Sequence, residues 1–206
     1  VSGLAAALKI VWQSFAYRVR MREANNLAVT VSMMVAFALP WRDVFYRTGY
    51  ALLLNVYVYL INDYCDIRVD LASEKKDQAK VRYMAEHRGA ALGALLGLGA
   101  LLAAGALFHS WLLVVAFISN TVVITLYSAW LKRIPILDLL LMAIAGATMT
   151  IVGLPERQLG WLLLGLLSLL CASYEVIQVI RDEPVDRESG VRTTAVLLGV
   201  RPAAWI

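Results

Sequence analysis

Long apolar runs alternate with short charged clusters along this chain. Nearly uninterrupted apolar stretches occupy Leu27–Pro40, Gly49–Ile61, Ala90–Phe108, Trp111–Leu131, Ile134–Leu154 and Trp161–Ile180, and a seventh begins near Thr194 and is cut off at Ile206. The longer runs match the roughly 20 residues that cross a bilayer core of about 30 Å at about 1.5 Å rise per residue. The first two are shorter, but a helix can continue beyond its uncharged stretch into polar flanks. In lipid only a helix or a closed barrel satisfies its own backbone groups. The runs are rich in Leu and Ala and lack period-two alternation, which argues against a barrel. The pattern predicts an all-α, polytopic transmembrane helical bundle with about seven spans visible, the last incomplete.

Composition agrees with that pattern. Of 206 residues 61% are hydrophobic, only 17% are charged, and the mean hydropathy is +0.70. Soluble domains carry about 25% charged residues, so a soluble enzyme, a disordered chain and a disulfide scaffold are excluded. Cys65 and Cys171 are too far apart in sequence to suggest a staple or a zinc site, and His87 and His109 are the only histidines. Oxygen-ligated Mg²⁺ stays open, because it needs carboxylates.

The net charge of +4 matters less than where the basic residues fall. Lys9, Arg18, Arg20 and Arg22 precede the first run. Arg68, Lys75, Lys76, Lys80, Arg82 and Arg88 follow the second, Lys132 and Arg133 the fourth, and Arg181, Arg187 and Arg192 the sixth. The connections after runs one, three and five hold only Arg42, Arg47 and Arg157. The positive-inside rule then places the N-terminus and the rich side in the cytoplasm, in the cytoplasmic membrane if the source is prokaryotic. Nucleic-acid binding is not implied, and no obligate protein partner is inferred. The two-residue link His109-Ser110 predicts an antiparallel hairpin, and Gly93, Gly97, Ala100 and Ala104 form a small-residue face suited to close packing. The start, Leu4–Phe15, looks amphipathic and suited to the membrane interface.

The chemistry gathers on the basic side. Asn62-Asp63-Tyr64-Cys65-Asp66-Ile67-Arg68-Val69-Asp70 ends the second run. On a continuing helix Asn62, Asp66 and Asp70 share one face at spacings of four, with Asp63 bordering it. Carboxylates this close at a membrane boundary call for a cation, and Mg²⁺ accepts carboxylate, water and phosphate oxygens. After the sixth run Asp182 and Asp186 repeat the four-residue spacing, although Pro184 between them makes a common face less secure. Gln178 and Glu175 continue that face toward the membrane interior. Two facing acidic pairs suit two or more Mg²⁺ ions around a diphosphate. Tyr127, Lys132 and Arg133 end the fourth run on the same side, where the two cations suit a phosphate clamp and Tyr127 a hydrogen-bond donor. Arg22, with Asn25 and Asn26, adds a cation and two amides at the start of the first run.

These residues resemble the UbiA superfamily of intramembrane aromatic prenyltransferases. The Asn-Asp-x-x-Asp-x-x-x-Asp signature is matched by Asn62, Asp63, Asp66 and Asp70. The second signature, an Asp-x-x-x-Asp pair followed by Gly and Thr or Ser, is matched by Asp182, Asp186, Gly190 and Thr193 or Thr194. Ala195–Gly199 and the stretch Tyr127 to Lys132 are also similar to family elements, and the likeness runs from about Arg22 to the end. Where many members have Arg-Thr-x-x-Arg-Pro, this chain has basic residues between Glu74 and Arg82 but no proline.

The resemblance implies a nine-helix bundle with a central cavity opening to the cytoplasmic side and laterally to lipid. It also implies that residues 1–206 are a single transmembrane prenyltransferase domain that is C-terminally incomplete. The implied partners are an isoprenyl diphosphate, a lipophilic acceptor and the bilayer, with Mg²⁺ as cofactor. Asp66, Asp70, Asp182 and Asp186, with Asn62, would hold the metal; Arg22, Asn25, Asn62, Tyr127, Lys132, Arg133 and Gln178 would bind substrate. Ionisation of the allylic diphosphate would be assisted by metal and Lys132, and the cation attacked by an aromatic or other lipophilic acceptor. Asp63 is expected to be catalytic, either at the metal or in orienting the acceptor or its base. A terpene cyclase that quenches the cation internally is the nearest alternative, with Tyr57, Tyr59, Trp130 and Tyr174 as lining candidates. A cation-binding transporter or channel is the alternative from another class, but it expects charges near mid-membrane rather than at one edge.

Overall fold

The computed structural model describes residues 3–20, 25–72, 76–156, 160–188 and 190–205. Among these the chain is all-α: α1 (Gly3–Arg20), α2 (Asn25–Ala36), α3 (Trp41–Leu71), α4 (Gln78–Glu86), α5 (Arg88–His109), α6 (Trp111–Ala129), α7 (Leu137–Thr150), α8 (Trp161–Glu188), α9 (Thr194–Leu198) and α10 (Val200–Ala203). Short 3₁₀ turns follow α6 at Leu131–Arg133 and α7 at Ile151–Gly153.

Four of these helices, α3, α5, α6 and α8, are long and apolar enough to cross a membrane, and α2 and α7 are shorter apolar helices. The predicted seventh span differs. After five residues α9 ends at Gly199, whose φ of +87° breaks the helix before α10, so no long span forms over the described residues here.

The central helix is α3. More than half of its apolar window is buried, against a third or less in α5, α6 and α8. Its 31 residues span about 47 Å, longer than a bilayer core of about 30 Å. The apolar run Gly49–Ile61 is therefore only the middle of a helix that carries the aspartate motif on its last turns. Tyr50, Leu54, Tyr57 and Ile61 pack against Leu102 and Ala106 of α5, Leu113, Ala116 and Ile124 of α6, and Met149 beyond them. Arg47, buried, donates to the carbonyls of Val152 (2.9 Å) and Leu154 (3.0 Å) and so caps the carbonyl end left open where α7 stops.

A second core joins Ile10 of α1 to Leu60 and Ile67 of α3, Met84 of α4 and Ala91 and Ala94 of α5. The opening helix thus packs one face on the bundle while Leu4, Leu8 and Trp12 stay exposed. Ser110 joins the α5–α6 hairpin and caps α6 by accepting from the Leu112 N–H. The predicted small-residue face is not the one that packs. Gly93, Gly97, Ala100 and Ala104 are exposed, and α5 instead buries Ala91, Ala94, Gly99, Leu102 and Ala106. The physical reason lies in the partner: α3 offers Tyr46, Tyr50 and Tyr57, whose rings reach Gly99 and Gly105 and take the room on that side.

Candidate active site

α3, α6 and α8 all bring their C-terminal ends to one cavity of about 300 Å³. Asn62, Asp63, Asp66 and Asp70 line it from α3, Tyr127 from α6, Lys132 from the turn after α6, and Gln178, Asp182 and Asp186 from α8. The helix α8 runs unbroken through Pro184 to Glu188, so Asp182 and Asp186 stand one turn apart on it. Pro184 has no N–H to give the Ile180 carbonyl one turn back, yet the helix continues through it.

Each aspartate of the first motif has its own basic partner. Asp66, buried, accepts a hydrogen bond from Lys132 Nζ. The Lys76 ammonium lies 3.9 Å from Asp70 Oδ1. Asp63 accepts from Lys80 Nζ at 2.5 Å, Ser14 Oγ at 3.1 Å and Arg18 Nη2 at 3.2 Å, with the Arg18 guanidinium 3.8 Å over the Tyr59 ring. Asn62 Oδ1 accepts from Ser128 Oγ at 2.9 Å, which points its carboxamide toward α6. On α8, Arg181 Nε lies 3.3 Å from Asp182 Oδ1 at the exposed rim. Burial pulls the Lys76 ammonium down, but the Asp182 and Asp70 carboxylates outweigh it and hold its pKa above the ordinary lysine value.

The turn bearing Lys132 is fastened to the segment that follows the second motif. Ile136, a β-branched residue at φ +75°, donates its N–H to Thr194 Oγ1 at 2.5 Å. Thr194 in turn donates its hydroxyl to Asp138, and its N–H reaches Asp138 Oδ2 at 2.7 Å. Asp138 and Thr194 are fully buried. This lock ties the segment after Lys132 to the start of α9.

Several predicted residues do not arrive. Arg133 is exposed and does not line the cavity, because the 3₁₀ turn sends consecutive side chains in different directions and only Lys132 points inward. Asn25 is also outside the lining and donates to Cys171 Sγ at 3.8 Å. Asn26 is buried in α2. Arg22 lies outside the described residues, as does the side chain of Glu175. Of the aromatic candidates Tyr59 lines the cavity, Tyr57 packs in the core and Trp130 is exposed.

Other cavity residues had no distinct signal in the sequence. Tyr17 and Arg18 reach it from α1, Lys76 from just before α4 and Lys80 from α4, and the basic ones read in the sequence simply as orientation charges. In all, Asp63, Asp66, Asp70, Asp77, Asp182 and Asp186 are set against Arg18, Lys76, Lys80, Lys132 and Arg181 around the cavity. The donor set is hard oxygen, which suits Mg²⁺ in chemistry. Among the described residues no three His, Cys, Asp or Glu side chains are gathered at metal-holding distance.

The UbiA prenyltransferase family model matches residues 26–206. The chain belongs to the UbiA prenyltransferase family. Two solved structures of a UbiA homolog from Archaeoglobus fulgidus are similar to it, each 18% identical. The one bound to DMAPP and Mg²⁺ aligns with a TM-score of 0.66 over 98% of this chain and 71% of that one. The one bound to GPP and Mg²⁺ aligns with a TM-score of 0.60 over 91% and 70%. No curated protein sequence is significantly similar to the chain. At that identity the structures show a shared fold, and membership in a UbiA family makes this a polytopic membrane protein of the prenyltransferase class.

Proposed function

We propose that the protein transfers a prenyl group from an isoprenyl diphosphate to an aromatic or other lipophilic acceptor within the membrane, using Mg²⁺ and releasing diphosphate. The observation that carries this reading is the meeting of Asp66 and Asp70 on α3 with Asp182 and Asp186 on α8, and Lys132 between them, at the polar end of an apolar bundle. The two Archaeoglobus fulgidus structures were determined with prenyl diphosphates and Mg²⁺, which supports the substrate class.

Asp66, Asp70, Asp182 and Asp186 would hold the metal, with the Asn62 carboxamide oxygen as a further donor. Bound there, Mg²⁺ would supply charge neutralisation to the departing diphosphate. Lys132 would leave Asp66 to take a diphosphate oxygen, where a compact ammonium at the rim of a low-dielectric cavity stabilises developing charge. Tyr127 would donate its hydroxyl to a phosphate or bridging oxygen, and Gln178 would orient the head of the substrate. The apolar faces of α6 and α7 would keep the prenyl chain and the allylic cation away from water. For Asp63, its hydrogen bonds to Ser14, Arg18 and Lys80 support a positioning role in place of the catalytic one. With three donors on its oxygens, it would anchor α1 and α4 to the cavity wall. The charge asymmetry of the connections supports a cavity that opens to the cytoplasmic side, with the N-terminus on that side.

The test is incubation of the full-length protein in nanodiscs with a panel of prenyl diphosphates, with and without acceptors and Mg²⁺, followed by mass spectrometry of the lipid products. Mg²⁺-dependent prenyl adducts are expected, and they should disappear in Asp66→Ala and in Asp182→Ala while both variants remain folded and inserted. Cyclised hydrocarbon in place of adducts, or near-normal turnover by either variant, would overturn the proposal.

A further inference from the structure

Lys76 lines the same cavity as both aspartate motifs, and the residues directly after it are tied down. The Gln78 side chain donates to the Asp70 carbonyl at 2.9 Å. Next to it, Asp77 caps α4 by accepting from the Lys80 N–H at 3.2 Å and pairs with Arg20 at 3.0 Å. The two residues that follow Lys76 are thereby tied to α3, α4 and α1. The lysine side chain is mostly buried and its ammonium faces Asp70 from 3.9 Å, beyond the 2.7–3.2 Å range of a good N–H···O bond.

The three cavity lysines therefore differ in grip. Lys80 holds Asp63 at 2.5 Å within a four-membered cluster, and Lys132 is bonded directly to Asp66. Lys76 makes only a long contact to Asp70, and the aspartates of the second motif line the same cavity. One monovalent ammonium cannot neutralise Asp70 and Asp182 together, and Asp186 adds a further carboxylate to the same wall. A divalent ion could, but entering alone it would meet the ammonium beside it, since Lys76 is mostly buried and the residues directly after it are tied down. A diphosphate removes that conflict, since its oxygens accept the ammonium.

We propose that Lys76 is a resident counter-ion of the two aspartate motifs, which opposes divalent metal alone and turns to the diphosphate when both arrive, so that metal and diphosphate bind as a coupled pair. This rests on the function proposed above. It makes Lys76 a positioning residue for the empty site and a substrate ligand in the filled one.

The experiment is Mn²⁺ binding followed by electron paramagnetic resonance, on the full chain in nanodiscs, with and without an unreactive geranyl thiolodiphosphate. Wild type is expected to bind Mn²⁺ weakly alone and at least about tenfold more tightly with the analogue, a coupling within the usual 5- to 150-fold range. Lys76→Gln should bind Mn²⁺ alone several-fold more tightly than wild type and lose most of the coupling, and Lys76→Arg should keep it. Lys76→Met serves as a second neutral variant, with thermal unfolding confirming that each variant is folded. Coupling in Lys76→Gln and Lys76→Met equal to that of wild type would overturn the role of Lys76 alone. No tight Mn²⁺ binding by wild type even with the analogue would overturn the proposed function as well.

Discussion

Lys132 and Arg133 are neighbours in sequence with the same charge, and the fold separates them completely. Lys132 is buried against Asp66, while Arg133 is exposed outside the cavity. Lys132→Ala should lower turnover by roughly 10²–10³, the loss typical of one preorganised charge-stabilising donor. It also strips Asp66 of its partner, so Mg²⁺ dependence should shift with it. Arg133→Ala should change turnover less than about threefold, since only a shared orientation charge is lost. Steady-state rates of the two variants in nanodiscs, with insertion topology checked separately, test this; equal small effects would return Lys132 to the role of a membrane-edge anchor. The aspartates were legible because their four-residue spacing is a property of any helix. The difference between Lys132 and Arg133 was not, because it depends on how a 3₁₀ turn is seated against α3.

Among the helices, the glycines separate packing faces from lipid-facing ones. A methyl group added at Gly153 would lie 2.5 Å from the Thr30 carbonyl oxygen and 2.9 Å from Met33 Cβ, and the backbone oxygen cannot swing away. Gly153→Ala should therefore destabilise the contact of α2 with the end of α7 by about 1–3 kcal/mol, the range for overpacking a closed core. At Gly93 nothing lies within 4 Å, so Gly93→Ala should be neutral or stabilise α5 by up to about 1 kcal/mol through helix propensity. Thermal unfolding in one detergent, compared across the two variants, decides between them; a Gly93→Ala loss as large as that of Gly153→Ala would restore the small-residue stripe as a packing face. Spacing showed that α5 has such a stripe. The choice of packing face was made by the tyrosines of α3, which are distant in sequence.

At the scale of the whole molecule, the Asp138–Thr194–Ile136 lock ties the Lys132 turn to the segment behind the second motif. Thr194→Val should cost about 1–3 kcal/mol by leaving buried polar groups short of a partner. It should also reduce turnover, whereas Thr194→Ser should retain both properties. Unfolding temperature and turnover measured together check this, and a Val variant that keeps wild-type values of both would remove the lock from the account. The sequence by itself determined the all-α membrane class, the two aspartate motifs and the side on which they gather. Apolar run length, helical spacing and charge placement are local quantities that need no knowledge of neighbours. Only the tertiary structure decided that α3 is the central helix, that Asp63 is tied up by Ser14, Arg18 and Lys80, and that Lys76 lines the same cavity as both motifs. Each of these joins residues from different elements, and an ion pair between them exists only after packing has removed the water that would otherwise solvate each charge separately.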